Sequence, residues 1–408
     1  MAVPKAKKGA LSTLELATSL RTRKGFVWLD SLAPRNHFPS QSDQLGLSLL
    51  AAEPYLIIEG GAHDWVILKK ELEKRVRKSQ LVSTQQGAAI GYFRFDGSFC
   101  FGFYENVYRH YARANHSYWF TPEPIIDVQK QILACAAPIC FQSDLTAQEY
   151  CQKVLLAQEE IAAGNIYQVC LAHRFTGPFS GDPWPLYLKL RRHNPAPFAA
   201  YLNLREETIL STSPECFLKI KGRQISTYPI KGTRPRGANR EEDAKNQWEL
   251  EHSLKEKAEL IMITDLERND LGQICEYGSV TTPRLLELKV YPYLFHLVSK
   301  IQGRLRPSIS HVEALAACFP GGSISGAPKK SALRMIAELE PVPRGLFTGA
   351  IGYFGFDGRS QFSIAIRTLV VHENIAQFHV GAGITSDSIA HQEWEETLHK
   401  AAGIIGAV

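Results

Sequence analysis
One nine-residue stretch occurs twice in the chain. Residues 89–97 read Ala-Ile-Gly-Tyr-Phe-Arg-Phe-Asp-Gly, and residues 350–358 repeat them with one change, Gly355 in place of Arg94. Each copy is a strand-forming run that ends in Asp-Gly, a dipeptide suited to the positive φ angles of a tight hairpin. The chain must therefore turn back on itself at two distant places, and a single pair of this kind does not make a solenoid array. It predicts two halves of related design, each contributing a sheet.

Other segments fill in the pattern. Residues 25–31 and 55–58 read as strands, with Pro34, Asn36 and Pro39 in the loop between them. Thr146 and Glu149 form a capping box for a helix carrying Tyr150, Val154, Ala157 and Ile161, which Gly164 ends. A strand is expected over 166–170, a helix through 186–190, and a strand near Tyr201 after Asn194-Pro195-Ala196-Pro197. Residues 240–264 predict one long polar helix with Leu250, Leu254, Ala258 and Ile261 on its buried stripe. Residues 363–367 alternate as a strand does, putting Ser363, Ala365 and Arg367 on one face.

No linker or low-complexity run separates domains. The reading is a basic, disordered tail over 1–20, then an N-terminal part (21–140) and a catalytic region (141–408) integrated into one α+β domain. Two large β-sheets pack face to face, with helices outside. The 408 residues are 45% apolar and carry a net charge of only +5, with acids and bases interspersed, so neither nucleic acid nor a membrane is indicated as a partner. With no span-length apolar run and no leader-like N-terminus, a cytoplasmic location is expected. Eight scattered cysteines without a CxxC or CxxH cluster argue against zinc and against a disulfide framework.

The candidate chemistry begins at residues 228–237, Tyr-Pro-Ile-Lys-Gly-Thr-Arg-Pro-Arg-Gly, where two prolines and two glycines shape a loop around Lys231. Glu256 and Glu259 lie three apart on one helix; Glu393, Glu396 and Lys400 repeat the spacing near the C-terminus, above a stripe of Trp394, Leu398, Ala401 and Ile405. If both helices border one cavity, four carboxylates need a cation, and oxygen-only ligation points to Mg²⁺. Residues 319–329 form a glycine-rich loop that is not a P-loop, and Gly381-Ala382-Gly383 is not a dinucleotide fingerprint. Glu215 follows an apolar strand, where burial would suit it to donate a proton. His296 has apolar neighbours.

Together these motifs resemble the chorismate-utilising enzymes: the first components of anthranilate synthase and aminodeoxychorismate synthase, with the isochorismate and salicylate synthases. The match covers roughly residues 145–400 and rests on 213–217, 229–237, 265–272, 296–299, 320–329, 364–368, 381–383 and 393–397, in that order. The resemblance implies two face-to-face sheets and a Mg²⁺ ion that holds a carboxylate of chorismate. It places Glu259 and Glu396 as metal ligands supported by Glu256 and Glu393. It places His296, Ser323, Arg367, Gly381, Gly383 and Lys400 around the substrate, and Gly232 and Thr233, flanking Lys231 in its loop, are expected to hold substrate too.

Lys231 decides the branch. Anthranilate synthases usually have alanine in this motif, whereas aminodeoxychorismate synthases have Pro-Ile-Lys-Gly-Thr, as here. Phe347 stands where anthranilate synthases often carry tyrosine. The expected activity is that of aminodeoxychorismate synthase component I, with Lys231 as nucleophile and Glu215 as acid. No Gly-x-Cys-x-Gly motif is present, so ammonia is expected from a separate glutamine amidotransferase. The alternatives are an isochorismate synthase with Lys231 as a base, an anthranilate synthase component, and a chorismate-binding protein without catalysis.

Overall fold
The computed structural model describes residues 12–31, 46–81, 87–111, 116–118, 138–291 and 294–408. Residues 1–11 of the expected tail, and the loop residues Pro34, Asn36 and Pro39, lie outside these. Thr13–Leu20 is a helix rather than tail: Ser12 and Glu15 cap it reciprocally, and Leu16, Ala17 and Leu20 are buried.

Two antiparallel sheets form the body. The first runs, in spatial order, through Gly326–Ala327, Gln168–Pro178, Ile375–Ile384, Thr368–His372, Glu207–Ser213, Phe198–Asn203, Val27–Asp30, Leu47–Ala51, Tyr108–Tyr111 and His116–Tyr118. The second runs through Thr281–Val290, Leu294–Arg304, then Gln224–Tyr228 with Ile230–Pro235 end to end on the same side, Cys216–Lys221, Arg359–Ile364, Ala350–Gly355, Ala88–Phe93, Phe99–Tyr104 and Leu56–Gly60. Inward side chains of both sheets meet in one core, Val27, Leu49, Leu202 and Ile209 facing Ile90, Tyr92, Ile351 and Tyr353. Each fully buried side chain of this size contributes about 1.5–3 kcal/mol. Helices Thr13–Leu20, Pro183–His193 and Ala390–Ile405 cover the first sheet, and Trp65–Leu81 and His311–Cys318 cover the second.

The repeated nonapeptides do not found separate sheets. Their strands are direct neighbours in the second sheet, with Ala350 opposite Phe93, Gly352 opposite Gly91 and Phe354 opposite Ala89. Equivalent glycines therefore face each other across a local two-fold axis. Both strands are buried on both faces, which explains why their sequences are apolar throughout rather than alternating. A Cβ on Gly91 would stand 2.0 Å from the Cys100 carbonyl oxygen, and one on Gly352 would stand 2.0 Å from that of Gln361. The bare backbone admits the phenylalanines of both hairpins, Phe93 and Phe101 at 4.9 Å and Phe354 and Phe362 at 4.7 Å between ring centroids.

The long helix expected over 240–264 is two helices, Arg240–His252 and Leu254–Gly272, because Ser253 leaves helical geometry and accepts the Glu256 amide as a cap. The new helix turns a different face inward. Leu250 is buried as expected, but Leu254 is 82% exposed and Ile261 43%, while Leu260, Ile263 and Leu271 are buried. In the C-terminal helix Trp394 and Ala401 are buried as expected; Ile404 takes the place of exposed Ile405. Among the described residues no helix is long and apolar enough to cross a membrane.

Candidate active site
Lys231 lies on a strand rather than in a loop. Gln224–Tyr228 and Ile230–Pro235 run end to end along the same side of Leu294–Arg304, interrupted at Pro229, which has no amide to give the ladder. One residue after Lys231 the register slips: Lys231 pairs with Leu297 but Thr233 with His296, so Gly232, at φ +70°, is the extra residue of a bulge. A Cβ there would press on Leu250 at 2.7 Å and on the Glu256 carboxyl at 3.2 Å. The bulge turns Lys231 into a cavity of about 1030 Å³.

Two crossings between the sheets supply the next groups. The chain leaves the first sheet at Ser213, passes through Pro214 and Glu215, and enters the second at Cys216; it returns from Ile364 to Thr368 through Ala365, Ile366 and Arg367. The crossings are stitched together, since the Ser213 hydroxyl donates to the Ile364 carbonyl and the Thr212 amide to that of Arg367. The expected alternation over 363–367 therefore stops at Ile364, and Arg367 takes φ +49° instead of a strand geometry. Burial raises the Glu215 carboxyl above its ordinary value, against the opposing pull of Ser323, which donates to Glu215 Oε1 at 2.7 Å, and of Lys231. The Arg367 guanidinium has no ion-pair partner among the described residues, and burial lowers its pKa.

His296 is buried, and its pKa is pushed down to about 4 by burial and by Arg367, so the imidazole is neutral. Its Nδ1 lies 2.9 Å from the Thr233 hydroxyl. On the first sheet, Gly381 and Gly383 line the same cavity; a Cβ on Gly383 would meet Gln168 Nε2 at 2.4 Å and lie 3.4 Å from Lys231 Nζ, and one on Gly381 would meet the Leu171 carbonyl oxygen of the neighbouring strand at 2.7 Å.

The fourth wall is acidic. Glu256 and Glu259 come from Leu254–Gly272, Glu393 and Glu396 from Ala390–Ile405, and each has its own cation. Arg234 is 3.5 Å from Glu256, Lys231 3.7 Å from Glu259, Lys255 3.6 Å from Glu393 and Lys400 2.7 Å from Glu396. Lys400 also donates to the Gly381 carbonyl, and the Ser388 hydroxyl donates to Glu393. Burial raises Glu259 despite Lys231. Burial would raise Glu396 as well, but Lys400 outweighs it and holds that carboxyl below its ordinary value.

All the site residues anticipated from sequence line this one cavity. The family model for chorismate binding enzymes matches residues 130–406. The chain belongs to the chorismate-binding enzyme family. Among its relatives, an anthranilate synthase component 1 of Saccharolobus solfataricus is 41% identical over 268 residues, covering 66% of this chain and 64% of the relative. An aminodeoxychorismate synthase component 1 of Klebsiella aerogenes is 42% identical over 265 residues, covering 65% and 59%. The matched region thus spans less than two thirds of each of these relatives. The crystal structure of anthranilate synthase component I from Streptococcus pneumoniae superposes with a TM-score of 0.76 at 26% identity, covering 98% of this chain and all of that one.

In and beside the cavity of this chorismate-binding enzyme stand residues that sequence reading passed over. Arg234 and Lys255 neutralise half of the acidic wall, and nothing local marks them, because their partners are set by packing. Glu267 lies inside the recognised 265–272 motif without a role; it is buried, accepts from Thr227 at 2.5 Å, and burial pushes it up to about 8. For a divalent cation the donor chemistry fits: four carboxylates from two helices, with no thiolate among them. Among the described residues, however, no three His, Cys, Asp or Glu side chains converge on one point; each of these carboxylates is turned toward its own cation.

Proposed function
We propose that the chain is the chorismate-converting component of an aminodeoxychorismate synthase, producing 4-amino-4-deoxychorismate for 4-aminobenzoate and folate formation. The carrying observation is Lys231, set by a bulged strand with its amine inside the cavity and Glu215 across from it.

In this reading Arg367, Thr233 and the backbone at Gly381 and Gly383, all lining the cavity, bind and orient the substrate, and neutral His296 packs near the departing group. Glu259 and Glu396, backed by Glu256 and Glu393, would hold a Mg²⁺ ion that supplies positive charge for a substrate carboxylate. Lys231 must act as the free amine, since an ammonium has no lone pair with which to add. The free amine adds at ring carbon C2 while the C4 hydroxyl leaves as water with the proton of Glu215. Ammonia then bonds to C4, the bond from C2 to Lys231 breaks, and the proton shed by the new ammonium returns to Glu215. The enolpyruvyl ether is retained, so a separate lyase must remove pyruvate. The component 1 names of both relatives support a glutamine amidotransferase partner as the ammonia source.

Product analysis tests this reading. Incubated with chorismate, Mg²⁺ and ammonium, the wild type should form aminodeoxychorismate, and Lys231→Ala should lose at least about 10²-fold in rate. Anthranilate as the product, or isochorismate formed without ammonium, would assign the chain to another branch of the family. Undiminished product from Lys231→Ala would remove the covalent role.

A further inference from the structure
The cations of the acidic wall are not equivalent. Arg234 and Lys231 reach Glu256 and Glu259 from the strand lying against the same helix, and Lys400 meets Glu396 within one helix. Among these four pairs, only that of Lys255 with Glu393 ties the helix Leu254–Gly272 to the helix Ala390–Ile405. Its two ends differ in freedom. The Lys255 side chain is 50% exposed, whereas that of Glu393 is 5% exposed and further held by Ser388. The ammonium can swing into water at little desolvation cost; the carboxylate cannot follow it. All four carboxylates act on the Lys255 ammonium.

We propose that Lys255 is a resident cation of the acidic wall, tying the two helices together while no metal is bound and displaced into solvent when a divalent cation binds. The inference rests on the divalent-cation reading above and deepens it. Without Lys255, the Glu393 carboxylate would face the other carboxylates of the wall with no cation of its own, a repulsion that acts to push the two helices apart. A mobile lysine removes that penalty yet leaves the site open to exchange. Its cost is competition: a positive charge kept within a few ångströms weakens binding of a second cation, and for a half-exposed group the effect is roughly three- to tenfold.

The experiment uses MgCl₂ alone as the probe, with calorimetric titration and thermal unfolding in the presence and absence of the salt. The proteins are the wild type, Lys255→Gln, Lys255→Arg and a control, Lys245→Gln, which removes an exposed lysine on the preceding helix paired with Glu249. Lys255→Gln should bind Mg²⁺ roughly three- to tenfold more tightly and show a larger Mg²⁺-induced rise in Tm, because its metal-free form lacks the tie. Lys255→Arg and Lys245→Gln should follow the wild type. Equal affinity and equal Mg²⁺-induced stabilisation in wild type and Lys255→Gln would overturn the role of Lys255 while leaving the cation reading intact. No Mg²⁺ binding by either protein would overturn the cation reading, and this proposal with it.

Discussion
Glu267 makes the protonation of a single side chain measurable as stability. It is buried without an ion-pair partner among the described residues, and its pKa is pushed up to about 8 from an ordinary 4.5 by burial, with Glu215 and Asp270 adding to the effect. Between about 4.5 and about 8 the native chain therefore keeps a proton that the unfolded chain has lost, so this residue lowers stability as pH rises through that window. Glu267→Gln, which cannot ionise, should gain in Tm relative to wild type on going from the bottom of the window to the top. A difference in Tm that does not change with pH would show that Glu267 is ionised throughout. At this scale the catalytic candidates were legible because motif residues carry them: Lys231, Glu215 and the four glutamates all reach the cavity. Two of their counter-charges, Arg234 and Lys255, were not, because an ion pair such as Lys255 with Glu393 depends on how two helices pack and on no local spacing.

At the scale of elements, the hairpins signalled by Asp-Gly formed where expected, with Gly97 and Gly358 at φ +84° and +75°. Where the expectations failed, a local device had redirected the chain: Ser253 breaks a helix, Gly232 inserts a bulge, and Arg367 carries a sheet crossing. Such devices look like ordinary residues until a partner strand or helix gives them a register. The pairing of Gly91 with Gly352 is the most demanding of these arrangements. Gly91→Ala and Gly352→Ala should each cost about 1–3 kcal/mol in chemical denaturation, since a methyl group must displace backbone. Gly272→Ala, with nothing within 4 Å of the new Cβ, should be neutral or slightly stabilising. Equal effects at all three positions would show that the strand backbones yield to a side chain.

For the whole molecule, the sheets matter less as a core than as two walls held at a fixed separation. Glu215 and Arg367 stand where the chain passes between the sheets, Lys231 projects from one, and Gly381 and Gly383 belong to the other. Chemistry placed across such a gap does not require the ammonia donor to be in the same polypeptide. Supplied with chorismate, Mg²⁺ and ammonium salts but no partner, the chain should form product at a rate that climbs with pH in proportion to free ammonia. A rate insensitive to free ammonia would mean that ammonia is not the nucleophile; no product at all without glutamine and a second protein would mean that the partner completes the site as well as feeding it.

The neighbouring nonapeptide strands also set a timetable for biosynthesis. Ala88–Phe93 leaves the ribosome early, yet the strand that hydrogen-bonds to one of its edges, Ala350–Gly355, is translated almost two thirds of the chain later. At elongation rates of about 5–20 residues per second, that edge waits on the order of 10–50 s, aromatic and unpaired, for its mate. Through that interval the nascent polypeptide carries an aggregation-prone β-edge uncovered, so newly made chains should depend on holding chaperones far more than the folded protein does.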